Sequence, residues 1–386
     1  MTDRADKLIQ LARIETYPLG ARVAQGPLSS LAAMPVRRGC LIRVEDKDGA
    51  FGWGEIWCNF PPHGAESRAH LVADVIAPEL LGKVFGHWSR VRPELESRLA
   101  RMMIHTGEAG AFAHCLAGVD MAVADLAARR AGQSMTRFLG GTATERVAVY
   151  ASTPSGGALE QRCAHIRDSG HDAVKLKIGY DAQTDQAAVA LCRATLGPQF
   201  GLMVDANQAW DCDAAILHIG ALAPYGLDFV EEPLRADDAP AHWLRLAQNS
   251  PVALAAGENI MGAEAFAAFV DAGALAVVQP DVAKWGGVSG TLAVGRHARA
   301  AGARCCMHFM GTGLGLAASL HLLAVIGGNG RVELDINDNP LRSELGAMTC
   351  RCARADCPCQ WVWALASSRT PPHCAVCPLI DPRYRP

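Results

Sequence analysis

The chain has 386 residues, half of them apolar and 19% charged, with a net charge of −3. That length holds two domains and a large core, and the composition is that of an ordinary globular protein, not a disordered or fibrous one. No basic block stands out, which argues against nucleic acid as a partner. No run qualifies as a membrane span: the best, residues 313–326, is short, carries His321 inside it and reads as a buried helix. Residues 1–7 are polar with no apolar signal core behind them, so a cytoplasmic protein is expected.

In chain order, the first part reads as mixed α+β. Residues 40–44 and 51–56 are strand-like, and the Asp48-Gly49 pair between them marks a hairpin turn. Helical periodicity follows over 66–81 and 88–101, and the Ala/Leu-rich run 110–130 reads as a buried helix. Gly132 and the Gly140-Gly141 pair break the chain. Eight short β-rich runs then alternate with helical patterns: 147–150, 174–178, 201–204, 228–230, 252–255, 276–278, 304–306 and 331–333. Eight βα units predict a (β/α)8 barrel, and the count favours it over a doubly wound sheet. The expected division is 1–135 for an N-terminal α+β domain, 136–345 for the barrel and 346–386 for an atypical tail.

Polar residues fall at the C-terminal end of strand after strand: Lys175 and Lys177, Asp205 and Asn207, Glu231, Glu258, Asp281, His308 and Glu333, at steps of 23 to 28 residues from Lys177 on. Each step is one βα unit, and in a barrel all such ends meet at one mouth. Asp205, Glu231 and Glu258 make an oxygen-only set, suited to a hard cation and poorly suited to zinc. One such acid alone would read as a helix cap; three on successive strands read as a metal site. Lys175 and Lys177 alternate about Leu176, so both face one side. Two close ammonium groups are expected to lower each other's pKa and make a neutral, basic lysine accessible. Asp281 and His308 end neighbouring strands and read as an oriented acid/base dyad. Glu333 has two readings, a protonated donor to a developing enolate oxygen or an ion-paired carboxylate.

The strings KLKIG at 175–179, VDAN at 204–207, VEEP at 230–233, GEN at 257–259, QPD at 279–281, MHF at 307–309 and VELD at 332–335 together resemble the enolase superfamily, in its mandelate racemase branch. The resemblance covers about residues 12 to 345 and implies a capping domain ahead of the barrel. It implies that Asp205, Glu231 and Glu258 bind Mg²⁺, that Lys177 is one base with Lys175 tuning it, that His308 with Asp281 serves the opposite face, that Glu333 hydrogen-bonds the enediolate, and that Asn207 lies near metal and substrate. Lys284, three residues after Asp281, does not align with the sixth-strand lysine of the muconate-lactonizing branch. The substrate implied is a small-molecule carboxylate, a sugar acid that loses water; racemisation or epimerisation of a 2-hydroxy acid is the runner-up, and a non-catalytic sugar-acid-binding barrel the other class. A homo-oligomer is expected from the same likeness.

Capping-domain loops after Leu19 and Trp57 are expected to close the mouth, with Asn59 and His63 either hydroxyl contacts or turn residues. Beyond residue 346 the resemblance ends. Cys350, Cys352, Cys357, Cys359, His373, Cys374 and Cys377 read as sequence of the kind a reading-frame change leaves, ahead of a zinc knuckle or disulfides. The other eight cysteines read as small buried residues.

Overall fold

The structure is a computed structural model that describes residues 8–24, 26–27, 34–142, 146–152 and 158–343, with the backbone of Asp356–Pro358 and Cys377–Pro378. The zinc and disulfide readings of the tail cysteines lie outside the described residues.

Three antiparallel strands open the chain: β1 (Ile9–Arg22), β2 (Val36–Asp46) and β3 (Phe51–Ile56), joined side by side in that order, with β4 (Val84–Phe85) on the start of β1. The 14-residue β1 is absent from the sequence expectations; its central residues are only half-buried, so it lacks a clean alternating signal. The β2–β3 hairpin turns where expected, with Asp46 Oδ1 accepting the amides of Asp48 and Ala50 and Gly49 left-handed at φ 83°. The helix Ala109–Ala131 lies against β3. The approach is close because Gly52 and Gly54 face it: a Cβ on either would sit 2.1 Å from a helix carbonyl oxygen. This helix is long and apolar enough to cross a membrane, contrary to the expectation that no run qualifies, but 94% of its apolar window is buried inside the protein. It is a core helix.

The remaining strands are parallel: β5 (Arg146–Ser152), β6 (Ala173–Lys177), β7 (Gly201–Asp205), β8 (Val230–Glu231), β9 (Leu254–Ala256), β10 (Val277–Val278), β11 (Arg304–Cys305) and β12 (Val332–Asp335). They pair sequentially from β5 to β11, and β12 joins β5. A parallel bridge between Met307 and Val332, with Met307 N–H donating to Arg331 O and Glu333 N–H to Met307 O, closes the ring beyond the end of β11. All eight expected strands are present and the barrel is confirmed. Its interior holds Tyr150, Ala173, Met203, Phe229, Ala255, Val277 and Cys306, a separate buried cluster inside the strands. The eight cysteines outside the tail are all buried and unbridged.

Candidate active site

Strand register decides which polar residues meet. Lys177 lies opposite Asp205, and Asp205 opposite Glu231, so the ends of β6, β7 and β8 present an ammonium and two carboxylates in one row. Glu258 stands two residues past β9 on a turn that only glycine permits: a Cβ on Gly257 would meet the Gln279 backbone at 2.5 Å. Asn207, Gln208 and Glu232, just beyond β7 and β8, take left-handed backbone angles of 46°, 65° and 41°. Such strain clusters where a site over-determines the backbone.

Lys175 is buried and donates to Glu231 Oε2 at 2.6 Å, with Glu333 Oε1 at 2.9 Å and Asp205 Oδ2 at 3.6 Å. Lys177 donates to Asp205 Oδ2. The expected lowering of the amine pKa is overturned. Burial does pull both amines down, but Glu231 and Glu333 push Lys175 well above the ordinary lysine value and Asp205 raises Lys177. Two lysines among acids meet more attraction than mutual repulsion.

The acids divide in the same field. Burial opposes ionisation of Asp205, and Lys177 with Lys175 more than offsets it. Burial and the neighbouring Asp205 push Glu231 up to about 7. Against burial, Lys284 and His308 hold Glu258 far below the usual carboxylate range. Glu333 is likewise buried, but Lys175 and His308 keep it low, and it accepts from Ser152 Oγ. Glu333 is ion-paired here with Lys175 and faces His308, the second of its two readings.

The Asp281–His308 dyad forms as expected: His308 Nδ1 lies 2.7 Å from Asp281 Oδ2, while Nε2 faces Glu258 Oε2 at 3.4 Å and Glu333 Oε2 at 3.6 Å. Burial alone would lower the imidazole pKa; Glu258, Glu333 and Asp281 raise it to about 9. Asp281 is fixed in turn by the amides of Ala283 and Lys284.

These groups open onto a cavity of about 180 Å³, room for a small molecule. Lys177, Asn207, Glu258, Asn259, Lys284 and His308 line its barrel side; Pro27, Met34, Trp57, Asn59 and Phe60 come from the two capping loops. Both loops therefore reach the mouth. Asn59 is within the lining but donates to Met310 O at 2.8 Å. His63 is not. Its side chain is 81% exposed, it pairs with Glu66, and its backbone is left-handed at φ 66° ahead of a helix, so it is the turn residue of its two readings. Arg37 and Arg38 belong to β2, where Arg37 is buried against Asp335 and Arg38 faces Glu66.

Two residues of the site were given no role from the sequence. Lys284 Nζ donates to Glu258 Oε2 at 3.0 Å and Asn259 Oδ1 at 2.7 Å and sits 4.8 Å from the Trp57 ring centre. Gln279 Nε2 donates to Glu231 Oε2 at 2.6 Å. Gln279 sits in the QPD string and Lys284 three residues past it, but a lysine one turn past a strand and a strand-end glutamine carry no periodic signal. Among the described residues, no three acids or imidazoles converge tightly enough to ligate an ion as they stand, and Glu231, Asp205 and Glu258 are each engaged by an ammonium group.

Residues 19–140 match the family described as mandelate racemase / muconate lactonizing enzyme, N-terminal domain, and residues 158–351 match the enolase C-terminal domain-like family. Among curated proteins, the chain is 28% identical to the D-galactarolactone cycloisomerase of Agrobacterium fabrum, over 82% of this chain and 83% of that one. It is 28% identical to the L-talarate/galactarate dehydratase of Salmonella typhimurium, over 78% and 72%. Among solved structures, a mandelate racemase/muconate lactonizing enzyme from Bordetella bronchiseptica RB50 superposes with a TM-score of 0.83 at 45% identity, covering 88% of this chain and 91% of that one. A racemase from Streptomyces coelicolor A3(2) with bound magnesium superposes at 0.75 with 27% identity, covering 84% and 89%.

Proposed function

We propose that this chain, which belongs to the mandelate racemase and muconate lactonizing enzyme family of the enolase superfamily, removes the α-proton of a sugar acid and expels the β-hydroxyl as water, leaving a 2-keto acid. One observation carries the reading: Lys177 from β6 and His308 from beyond β11 line a single cavity from opposite arcs of the ring, with Glu258 between them.

Asp205, Glu231 and Glu258 would hold Mg²⁺. The donor set fits, since all three offer only oxygen, and Glu231 Oε1 is a buried carboxylate oxygen without a hydrogen-bond partner. Asn207 Oδ1 is likewise buried and unpartnered at the cavity wall. A bound divalent ion supplies positive charge to the substrate carboxylate, which otherwise resists a second negative charge when the α-proton leaves.

The side chains divide the rest. Lys175 is held among Glu231, Glu333 and Asp205 and stays charged; it balances acids that would otherwise repel an anionic substrate. Lys177 takes the α-proton as a neutral amine: leaving Asp205 removes the contact that raises its pKa, and its ammonium proton passes to solvent before the substrate is held. His308, carrying a proton at neutral pH and aligned by Asp281, delivers it to the departing β-oxygen. Asn207 and Asn59 orient the substrate from the barrel and the lid. Trp57 and Phe60 cover the mouth and keep water out.

A second reading has its own support. The lid side of the cavity is largely apolar, built from Pro27, Met34, Trp57 and Phe60, with Met310 beside them. A polyhydroxy chain finds few partners there, whereas a 2-hydroxy acid with an apolar substituent is well covered. The same Lys177 and His308 would then return a proton to the opposite face and racemise it.

The test is a screen of sugar acids and 2-hydroxy acids with Mg²⁺ in deuterated water, followed by NMR. Formation of a 2-keto acid with loss of the α-proton establishes the dehydratase. Deuterium at the α-carbon with all hydroxyls retained establishes the racemase. Absence of exchange on every acid, with Mg²⁺ bound, favours a non-catalytic barrel.

A further inference from the structure

Far from the mouth, two thiols lie within contact of each other. Cys163 Sγ, in the helix Leu159–Asp168, is 3.2 Å from Cys192 Sγ, in the helix Ala182–Leu196. Both are 1% exposed. Other buried thiols of this chain go elsewhere: Cys115 donates to Arg68 O and Cys212 to His242 O. We propose that Cys163 and Cys192 are a modification site, a vicinal thiol pair in space that a small peroxide converts to a reversible disulfide.

Three features support the pair. Its sulfurs are closer than two unbonded sulfur atoms usually rest, so bond formation needs a movement of about 1 Å to reach the ordinary S–S length. The pair is asymmetric: the hydrogen bond between the two sulfurs holds the Cys163 thiol below its ordinary pKa, against burial and with help from Arg162, and pushes Cys192 up. Cys163 is thus the better nucleophile. And with 1% exposure, only an oxidant as small as hydrogen peroxide reaches the sulfurs through local opening.

The chemistry balances without a further reagent. The Cys163 thiolate attacks one peroxide oxygen, the O–O bond breaks, and hydroxide leaves with the electron pair, giving a sulfenic acid. The Cys192 sulfur then attacks Cys163 Sγ. The S–S bond forms, the S–O bond breaks, and the hydroxyl departs as water with the Cys192 proton. Two thiols lose two electrons and one peroxide becomes two waters. The closed loop runs from 163 to 192 and encloses β6, the strand that carries Lys175 and Lys177. Closure restricts the unfolded chain, so the oxidised form is more heat-stable.

The experiment uses the full chain, reduced, desalted and exposed to hydrogen peroxide, then alkylated and cut with trypsin. The expected product joins the peptides 163–167 and 178–193 at the sum of their masses less two hydrogens, and dithiothreitol separates them. The thermal midpoint rises by several degrees on oxidation and returns on reduction. Cys163→Ser and Cys192→Ser each abolish the joined peptide and the rise. The proposal is overturned if both cysteines remain alkylatable, if Cys163 ends as a sulfinic acid, or if either joins a tail cysteine instead. None of these readouts depends on the substrate or the metal.

Discussion

Glu55 caps a helix that belongs to the other sheet: its carboxylate accepts the Thr312 amide at 2.8 Å and the Thr312 hydroxyl at 2.6 Å, and the Gly315 amide at 2.9 Å. Glu55 is the last residue but one of β3, and Thr312 opens the helix Gly313–Ile326. Between His308 and Thr312 runs the loop that carries Met310 into the cavity wall. One buried carboxylate therefore fastens the capping sheet to the segment that presents the His308 imidazole to the cavity, and the free amides of that helix end are satisfied from outside the helix. Glu55→Ala leaves three buried donors without an acceptor. The expected loss is about 3 kcal/mol of stability, read as a lower urea midpoint with an unchanged slope. A midpoint within a few tenths of wild type would show that water or relaxation replaces the carboxylate.

The same residue sets a pH dependence. Burial pushes Glu55 up to about 7 from an ordinary 4.5, despite the hydrogen bonds from Thr312 and Gly315 that favour the ion. The folded state thus binds a proton more tightly than the unfolded one. Its contribution is fully present below about pH 4.5 and is lost as pH rises through about 7, at most about 3 kcal/mol for a shift of this size. Asp120 and Asp125, each pushed up to about 6 by burial, act in the same sense. Urea midpoints should fall from about pH 5 to about pH 8. Glu55→Gln, which cannot ionise, should show a shallower fall; an identical slope would remove Glu55 from the account.

Asp281 orients and charges His308, so Asp281→Asn keeps the shape and removes the charge. The imidazole pKa should drop from about 9, because one of its three carboxylate neighbours is gone. A smaller fraction of His308 then carries the proton at neutral pH, and the alkaline limb of the pH–rate profile for β-oxygen departure should move to lower pH. The rate of that step should fall roughly 100-fold or more, while proton removal by Lys177 persists. Deuterium exchange at the α-carbon measures proton removal, and 2-keto acid formation measures β-oxygen departure. Equal loss of both steps would mean that Asp281 supports the fold of the site and not the dyad.

Much of the site was legible because a barrel converts spacing into proximity. The eight strands, and the acids and lysines at their ends, follow from βα steps alone, and the Asp281–His308 contact follows from neighbouring strands. What spacing does not carry is the balance of charge within the mouth. The lysine pair was expected to repel itself towards neutrality, but Glu231, Glu333 and Asp205 stand closer to those amines than sequence order suggests. Contacts between the two sheets were equally hidden. Glu55 lies 257 positions from Thr312 and sits in a strand whose neighbours are glycines and tryptophan, so nothing local marks it as a cap. The long β1 was missed for a related reason: half-exposed along its middle, it lacks the alternation that marks a strand with one dry face.

Lys284 offers the sharpest test of the metal reading. Its ammonium group is buried against Glu258 and Asn259 and covers the face of Trp57, whose own amide donates to Ala283 O at 3.2 Å. The lid loop and the third carboxylate therefore share one cation. Lys284→Met keeps the length of the side chain and removes the charge. Among the described residues, Glu258 is then a buried carboxylate with only His308 as a charged neighbour in contact, and without Mg²⁺ the protein should lose about 3 kcal/mol of stability. A divalent ion held by Asp205, Glu231 and Glu258 would restore the missing charge and no longer compete with the lysine. Mg²⁺ should accordingly raise the thermal midpoint of the variant more than that of wild type, and titration calorimetry should give the variant the tighter binding. Weaker binding would make Lys284 a group that holds Glu258 in place for the ion. An equal, absent response in both proteins would remove Mg²⁺ from these three carboxylates.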